Sequence, residues 1–270
     1  MQIGSRFGVN TYSYTQMMTA GACLRHLGGL GVAEVELMLY PGHLWIGDGR
    51  DAIADVRRAL QEAGIRPLTV NTPNIDLNIA AAAAEARTCS LDLNAGFLRL
   101  AGEIGAQAMI LGPGKPNQLF PLPKHVLEGH FFRALDALLP IAQGCGVEIW
   151  VENMPFAFLP GAADLMASLA RYGAEELRVC YDVANAHFVA EDPVDGLATV
   201  ASRLALVHLS DTTRSAFRHD AVGQGDLDFA RLPEAIRAAG YTRPCMLEVI
   251  SRTPDRDLPA SVDALLAAGF

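Results

Sequence analysis

Lysine is nearly missing from this chain: Lys115 and Lys124 are the only two among 270 residues, no block of basic residues occurs, and the formal net charge is −9. An extended phosphate backbone is bound by runs of cationic side chains that displace its counterions, so this composition argues against a nucleic-acid ligand. Long hydrophobic runs are missing too. MQIGSRFGVN at the amino terminus has no continuous apolar segment of signal-peptide length. Nowhere does the sequence approach the roughly twenty apolar residues of a membrane span, and a soluble, cytoplasmic protein is expected. The five cysteines (Cys23, Cys89, Cys145, Cys180, Cys245) are dispersed and odd in number. Without Cys-x-x-Cys spacing they argue against a zinc or dithiol redox centre and read as reduced packing residues.

What the chain does contain is apolar surface and alternation. Hydrophobic residues fill 51% of the 270 positions, enough for one large core and within the usual size of an α/β barrel. Short Val/Ile/Leu-rich runs alternate with helical patterns from end to end, which is how strands covered on both faces of a parallel sheet read. FGVNTYSY, VAEVELML, IRPLTVNTPN and AQAMILGPG are the first four predicted strands; VEIWVEN, RVCYDVANA, LALVHLSD and RPCMLEVI are the last four. Helices are predicted through TAGACLRHLGGLG and through DAIADVRRALQEAG, capped by Asp51 and stopped by Gly64. The longest helical region runs from about Ile79 to Ile104, starting in an alanine run and breaking near Asn94 and Gly96. FFRALDALLPIAQGCG, ADLMASLARYG, PVDGLATVASR, FARLPEAIRAAG and SVDALLAAGF complete the set. Eight strand–helix units with no Pro/Gly/Ser linker long enough to separate domains predict a single (β/α)8 TIM barrel over residues 1–270. A doubly wound open sheet would need a topological switch point and usually has fewer strands.

The last four strands each end in a ligand-type side chain: Glu152, Asp182, His208 and Glu248. In a closed barrel those carboxyl ends share the face where active sites are built. Alternation supplies a check. Residues two places earlier must also point inward, one layer deeper, and they are Trp150, Cys180, Leu206 and Met246, a bulky or apolar floor. On any single strand, a polar residue that merely ends the strand is the simpler explanation; recurrence on four consecutive strands favours a shared site. Three carboxylates and one imidazole suit one divalent cation, Mn²⁺, Mg²⁺, Co²⁺ or Zn²⁺, with coordination positions left for substrate oxygens. A hydroxyketone chelated there has its carbonyl polarised, its neighbouring C–H acidified and the resulting enediolate stabilised. Glu152 and Glu248, on the fifth and eighth strands, are placed to address opposite faces of such a substrate as the acid/base pair.

VEN at Glu152, YDVANAH at Asp182, VHLSD at His208, RHDAVGQGDLDF from Arg218 and LEV at Glu248, in that order, resemble the xylose-isomerase-like barrels over essentially the whole chain. That superfamily includes sugar isomerases and epimerases, hydroxypyruvate isomerase, inosose dehydratase and a class of apurinic endonucleases. The resemblance implies that Glu152, Asp182, His208 and Glu248 hold one divalent cation and that both glutamates double as acid/base groups. It implies a metal-dependent isomerase or epimerase of a small sugar or polyol ketone, with an inosose-type dehydratase using the same site as the near alternative. The endonucleases carry a trinuclear zinc cluster, and this chain departs from their pattern at Gly112, Asn185 and Phe217, where two histidines and an aspartate would stand. A non-catalytic binding barrel is the third reading, opposed by the intact ligand set. The expected partner is thus a small molecule, with no nucleic acid and no membrane, and a homo-oligomer is left open.

Substrate-contact candidates surround this centre. Relatives place a substrate-binding histidine three residues beyond the aspartate; here that position is Asn185, and His187 follows two residues on. Arg218 and His219, with Arg214 nearby, are candidates for substrate oxygens or a phosphate, weighed against simply holding their loop. His43 and Trp45, after the second strand, are candidates to roof the pocket, weighed against a subunit contact. GQGDLDF, containing Gly223 and Gly225, reads as structural, because its GxG lacks the preceding strand and third glycine of a dinucleotide site. Lys115 beyond a glycine-proline turn and Lys124 in a proline-rich loop read as solvated, which argues against Schiff-base chemistry.

Overall fold

Parallel pairing runs around the molecule until the sheet meets itself. The structure, a computed structural model, describes residues 2–270. In chain order it contains β1 (Gly8–Asn10), α1 (Ala20–Gly29), β2 (Glu34–Met38), α2 (Gly49–Ala63), β3 (Arg66–Asn71), α3 (Ala84–Ile104), β4 (Ala108–Leu111) and α4 (Lys124–Cys145). β5 (Glu148–Glu152), α5 (Ala162–Tyr172), β6 (Arg178–Asp182), α6 (Val183–Phe188), α7 (Pro193–Val200) and β7 (Leu204–Leu209) follow. An antiparallel hairpin of β8 (Asp211–Thr213) and β9 (Ala216–Asp220) then precedes α8 (Leu232–Ala238), β10 (Met246–Leu247) and α9 (Pro254–Ala267). Eight of the strands close a parallel barrel in the order β1-β10-β7-β6-β5-β4-β3-β2, which is the predicted (β/α)8 TIM barrel. Among the described residues, no helix is long and apolar enough to cross a membrane.

The barrel has apolar packing on both faces of the sheet. Outward-facing residues such as Val9, Val70, Met109, Val151, Tyr181 and Val207 join the helices in one large core. Inside, Leu68, Ala108, Ile110, Trp150, Cys180, Leu206 and Met246 form a separate buried cluster that contains all four residues expected beneath the site. Pairing register explains how the candidate ligands from staggered strands meet. Glu152 pairs with Cys180, two residues before Asp182, and His208 pairs with Met246, two residues before Glu248. The strand tilt of a closed barrel turns that stagger into a common rim.

Local departures from the expected pattern have local causes. Only the last alanine of the run, Ala84, enters α3: Asn78 Oδ1 accepts from the Ala80 N–H, an Asx turn that competes with helix, and Arg87 holds the Ala81 and Ala82 carbonyls. α3 is also unbroken at Asn94 and Gly96. The Asn94 amide donates to the Ser90 carbonyl one turn back, and a Cβ on Gly96 would approach Ile46 Cδ1 to 3.2 Å, so the glycine makes room for a neighbour. Asp51 sits in the first turn of α2, and the cap position belongs to Asp48; Gly64 ends that helix at φ +65° as expected. Lys124 begins α4 and pairs with Asp164 at 2.7 Å. The cysteines are all free.

Candidate metal centre

Glu152, Asp182, His208 and Glu248 converge at the carboxyl end of the barrel, each offering one ligand atom within 4.8 Å of the others. His208 Nδ1 lies at the centre of the group, 3.1 Å from Glu248 Oε2, 3.4 Å from Glu152 Oε1 and 3.8 Å from Asp182 Oδ2. All four residues are buried. Asp182 Oδ2 is buried with no hydrogen-bond partner among the described residues, although buried polar atoms are normally satisfied. A bare carboxylate oxygen aimed among two other carboxylates and an imidazole is what a cation would complete, so the donor set fits an oxygen-preferring divalent ion.

Neighbouring residues aim these groups. Asp182 ends β6 and caps α6: its Oδ1 accepts from the Asn185 N–H at 2.6 Å, which leaves Oδ2 for the site. Asn153, the last letter of VEN, clasps the Asp182 backbone at both N–H (2.7 Å) and C=O (2.9 Å), locking the end of β5 to the end of β6. Ser210 Oγ holds His219 Nδ1 at 2.9 Å. Asp211 accepts from the backbone N–H groups of Thr212, Gly223 and Leu227, and a Cβ on Gly225 would strike the Thr212 carbonyl at 2.1 Å. The GQGDLDF loop is therefore folded around Asp211, as its structural reading requires.

Burial sets the protonation of the cluster. It pushes the Asp182 carboxyl from its ordinary 3.8 up to about 6, with His219 opposing and Glu248 adding to the rise. Glu152 and Glu248 are raised as well, by burial first, with His208 opposing and neighbouring carboxylates reinforcing. Burial alone would lower His208, but the surrounding charges, Glu36 and Glu248 among them, hold its imidazole well above the ordinary range. His219 is lowered by burial, with Asp182 opposing. Three carboxylates gathered around one imidazole concentrate negative charge, which a dication offsets.

A cavity of about 270 Å³ opens above the cluster. Glu152, Glu248, Asn185 and His219 line it together with Tyr12, Tyr40, Asn71 and Asp76, and Met38, Ile75, Met154, Phe217 and Ile250 form its apolar walls. Phe217 is braced edge-on by Phe156 and His219. Four sequence candidates lie elsewhere. His187 turns to Asp226 at 2.6 Å, and the Arg218 side chain is 64% exposed beside Asp220. His43 is buried, its Nδ1 donating to the Met18 carbonyl and its Nε2 accepting from Thr11 Oγ1, so it packs inside and roofs nothing. Trp45 packs against Phe97 with ring centroids 5.0 Å apart. Lys115 is half-buried rather than solvated: its ammonium donates to the carbonyls of Asn74 and Ile75, on the cavity wall.

Glu36, Asn10 and Asn71 join the site without being among the residues the sequence singles out. Glu36 is fully buried on β2 and accepts from Asn10 Nδ2 (2.6 Å), Asn71 Nδ2 (3.0 Å) and Thr69 Oγ1 (2.6 Å). Its carboxyl is raised by burial but held below the ordinary value by the His208 charge and by these hydrogen bonds. The signal is in the sequence: Asn10 and Asn71 are polar residues at strand ends, and Glu36 is a charge inside the apolar run VELML, the same kind of mark that singles out the four candidate ligands.

Comparison with known proteins places these features. The uncharacterised protein MJ1614 of Methanocaldococcus jannaschii is 23% identical over 201 residues, spanning 73% of this chain and 75% of its own length. Among solved structures, a D-tagatose 3-epimerase-like protein superposes with a TM-score of 0.84 at 18% identity, covering 98% of this chain and 97% of its own. The IOLI protein, solved with a bound zinc atom, superposes with a TM-score of 0.78 at 14% identity, covering 98% and 96%. At such identities the superpositions establish the fold. The pattern that defines the xylose isomerase-like TIM barrel matches residues 25–268, nearly the whole of the closed barrel described above, and the chain belongs to that family.

Proposed function

We propose that the protein is a divalent-metal-dependent isomerase or epimerase of a small, uncharged sugar or related hydroxyketone. The observation that carries this reading is the convergence of three carboxylates and an imidazole on the floor of a small cavity with both polar and apolar walls. Likeness in fold to a D-tagatose 3-epimerase-like protein, and to a barrel solved with zinc, supports it. Glu152, Asp182, His208 and Glu248 hold one cation, of which Mn²⁺, Mg²⁺, Co²⁺ and Zn²⁺ suit the donors. When bound, the cation supplies Lewis-acid polarisation of a substrate carbonyl and charge stabilisation of the enediolate.

The protein's own groups move the proton. Glu152 and Glu248 stand on strands nearly opposite one another around the barrel, so one takes a proton from the carbon beside the carbonyl and the other returns one. The face and carbon that receive it decide between epimerisation and isomerisation. Asn185 donates to Glu152 at 3.4 Å, and His219, held by Ser210, stands 3.5 Å from Glu248, fixing the pair. Met154, Phe217 and Ile250 keep bulk water from the carbanionic carbon. The lining contains no lysine or arginine, so a phosphate or carboxylate on the substrate would find no counter-charge beside a cluster already rich in carboxylates.

The test loads metal-stripped protein with Mn²⁺ and follows a panel of neutral ketoses, inososes and hydroxypyruvate in D₂O by NMR. Deuterium is expected at the carbon beside the carbonyl of a neutral ketose and not in hydroxypyruvate. A protein that binds no metal under saturating Mn²⁺, or that turns a substrate over without solvent exchange, is not the catalyst proposed.

A further inference from the structure

The reaction above gives Glu36 no task, yet it is a fully buried carboxylate placed among the groups that perform it. Among the described residues no lysine or arginine pairs with it; its polar partners are the amides of Asn10 and Asn71, the Thr69 hydroxyl and His208, whose Nε2 lies 3.1 Å from Glu36 Oε1. That nitrogen has no aligned hydrogen-bond acceptor among the described residues. On the opposite edge of the same ring, Nδ1 faces Glu248, Glu152 and Asp182. The imidazole is thus a bridge, with three candidate ligand carboxylates on one side and one carboxylate outside the ligand set on the other.

A second link runs from Glu36 to Glu248. Asn10 Nδ2 lies 3.2 Å and Asn71 Nδ2 3.4 Å from Glu248 Oε1, so both amides span the two carboxylates. The orientation of Asn10 is fixed independently, because its Oδ1 accepts from the Tyr12 N–H at 2.7 Å and its Nδ2 must then face the acids. With Oε1 engaged by amides, Glu248 presents Oε2 to the cluster, the oxygen that lies 3.1 Å from His208 Nδ1.

We propose that Glu36 is the positioning residue of the metal centre: it keeps a proton on His208 Nε2, turning the Nδ1 lone pair toward the cation, and through Asn10 and Asn71 it sets which oxygen of Glu248 faces the cation. Histidine ligands are commonly fixed in this manner, by a carboxylate on the ring nitrogen that does not touch the metal. A glutamine at this position would keep an acceptor for the neighbouring amides. It would also offer an NH₂ group that can turn toward Nε2 and drive the ring proton to Nδ1, where it blocks the ligand position. The inference rests on the metal-centre reading, and its test separates the two.

Protein labelled with ¹⁵N-histidine is compared with its E36Q variant in two-bond ¹H–¹⁵N correlation spectra, metal-free and loaded with Zn²⁺, and zinc affinity is measured against a competing chelator. In the wild type, His208 is expected to carry a proton on Nε2 in both states and to bind zinc through Nδ1. E36Q is expected to bind zinc about 10–100-fold more weakly and, without metal, to lose the Nε2 proton and keep one on Nδ1. A role confined to holding the strands together would lower the melting temperature of E36Q while leaving ring protonation and zinc affinity unchanged, and that result overturns the assignment. So does a wild-type His208 with bare Nε2, a measurement that needs no variant to fold. Wild-type protein that carries the Nε2 proton but binds no zinc overturns the metal reading and leaves the placement of the proton standing.

Discussion

Trp150, Cys180, Leu206 and Met246 ride the same strands as Glu152, Asp182, His208 and Glu248, two residues nearer the amino-terminal end of the barrel. Both sets are buried, and their energetics run in opposite directions. Burial of the lower set stabilises the fold by removing apolar surface from water. Burial of the upper set raises three carboxylates above their ordinary pKa values, so their charged forms are tolerated in the metal-free fold rather than favoured by it. One repeat of the pleat separates residues whose burial holds the barrel together from residues whose burial costs it stability when they ionise. The division predicts that the two layers fail in different assays.

The largest effect is expected from the upper layer. Glu152→Gln or Glu248→Gln should slow deuterium exchange of a true substrate by about 10²–10⁴-fold, the usual loss on removing a general acid or base. The metal-free variants should be at least as stable to urea as the parent, because an uncharged amide replaces a carboxylate that is costly to ionise there. Metal content must be measured alongside, and full exchange in a metal-loaded variant would remove that glutamate from the mechanism. The lower layer should answer the other way. Leu206→Ala leaves a cavity in a closed cluster and should cost about 2–5 kcal/mol in urea denaturation, while zinc affinity stays within a few fold. A Leu206→Ala protein that loses zinc affinity while keeping its stability would dissolve the distinction between the layers.

A smaller effect should appear on titrating the metal-free protein. The folded pKa of Asp182, about 6, lies above its ordinary 3.8, so the stability tied to its protonated form is complete below about pH 4 and is lost as the pH rises through 6. At about 1.4 kcal/mol per pH unit between those two values, the loss is at most about 3 kcal/mol. Urea midpoints measured at pH 4.5 and pH 7 after chelator treatment would detect it. Asp182→Asn should flatten the profile, and an unchanged profile in that variant would assign the dependence to other groups.

Much of this division could be read from the residues. A barrel strand is a short apolar run with an inward position every second residue, so placing Glu152 and its three counterparts also placed the floor beneath them. What resisted reading depends on contacts that no window of sequence contains. The helical alanine pattern at 79–83 loses to a side-chain acceptor on Asn78 and to Arg87, and His43 disappears inward because Thr11 and Met18 supply partners for both ring nitrogens. The β8–β9 hairpin is short and polar, with neither an apolar run nor a helical period to announce it. Glu36 was legible in kind but not in role, since its meaning comes from a histidine more than 170 positions away on a strand across the barrel.

Lys115 shows what such remote contacts mean for anyone remodelling the molecule. Its ammonium grips the carbonyls of Asn74 and Ile75, its backbone exchanges two hydrogen bonds with the Asn78 side chain, and the nearby Gly112 N–H donates to Asn74 Oδ1. The segment 72–76 contributes Thr72, Pro73, Asn74, Ile75 and Asp76 to the cavity wall, so that wall hangs from the loop after the next strand. Grafting a foreign loop after β3 alone would leave the hook without its eye. A chimaera with a reshaped pocket has to exchange 72–78 and 112–115 as one cassette, and a library that randomises only the visible lining would sample walls that nothing holds upright.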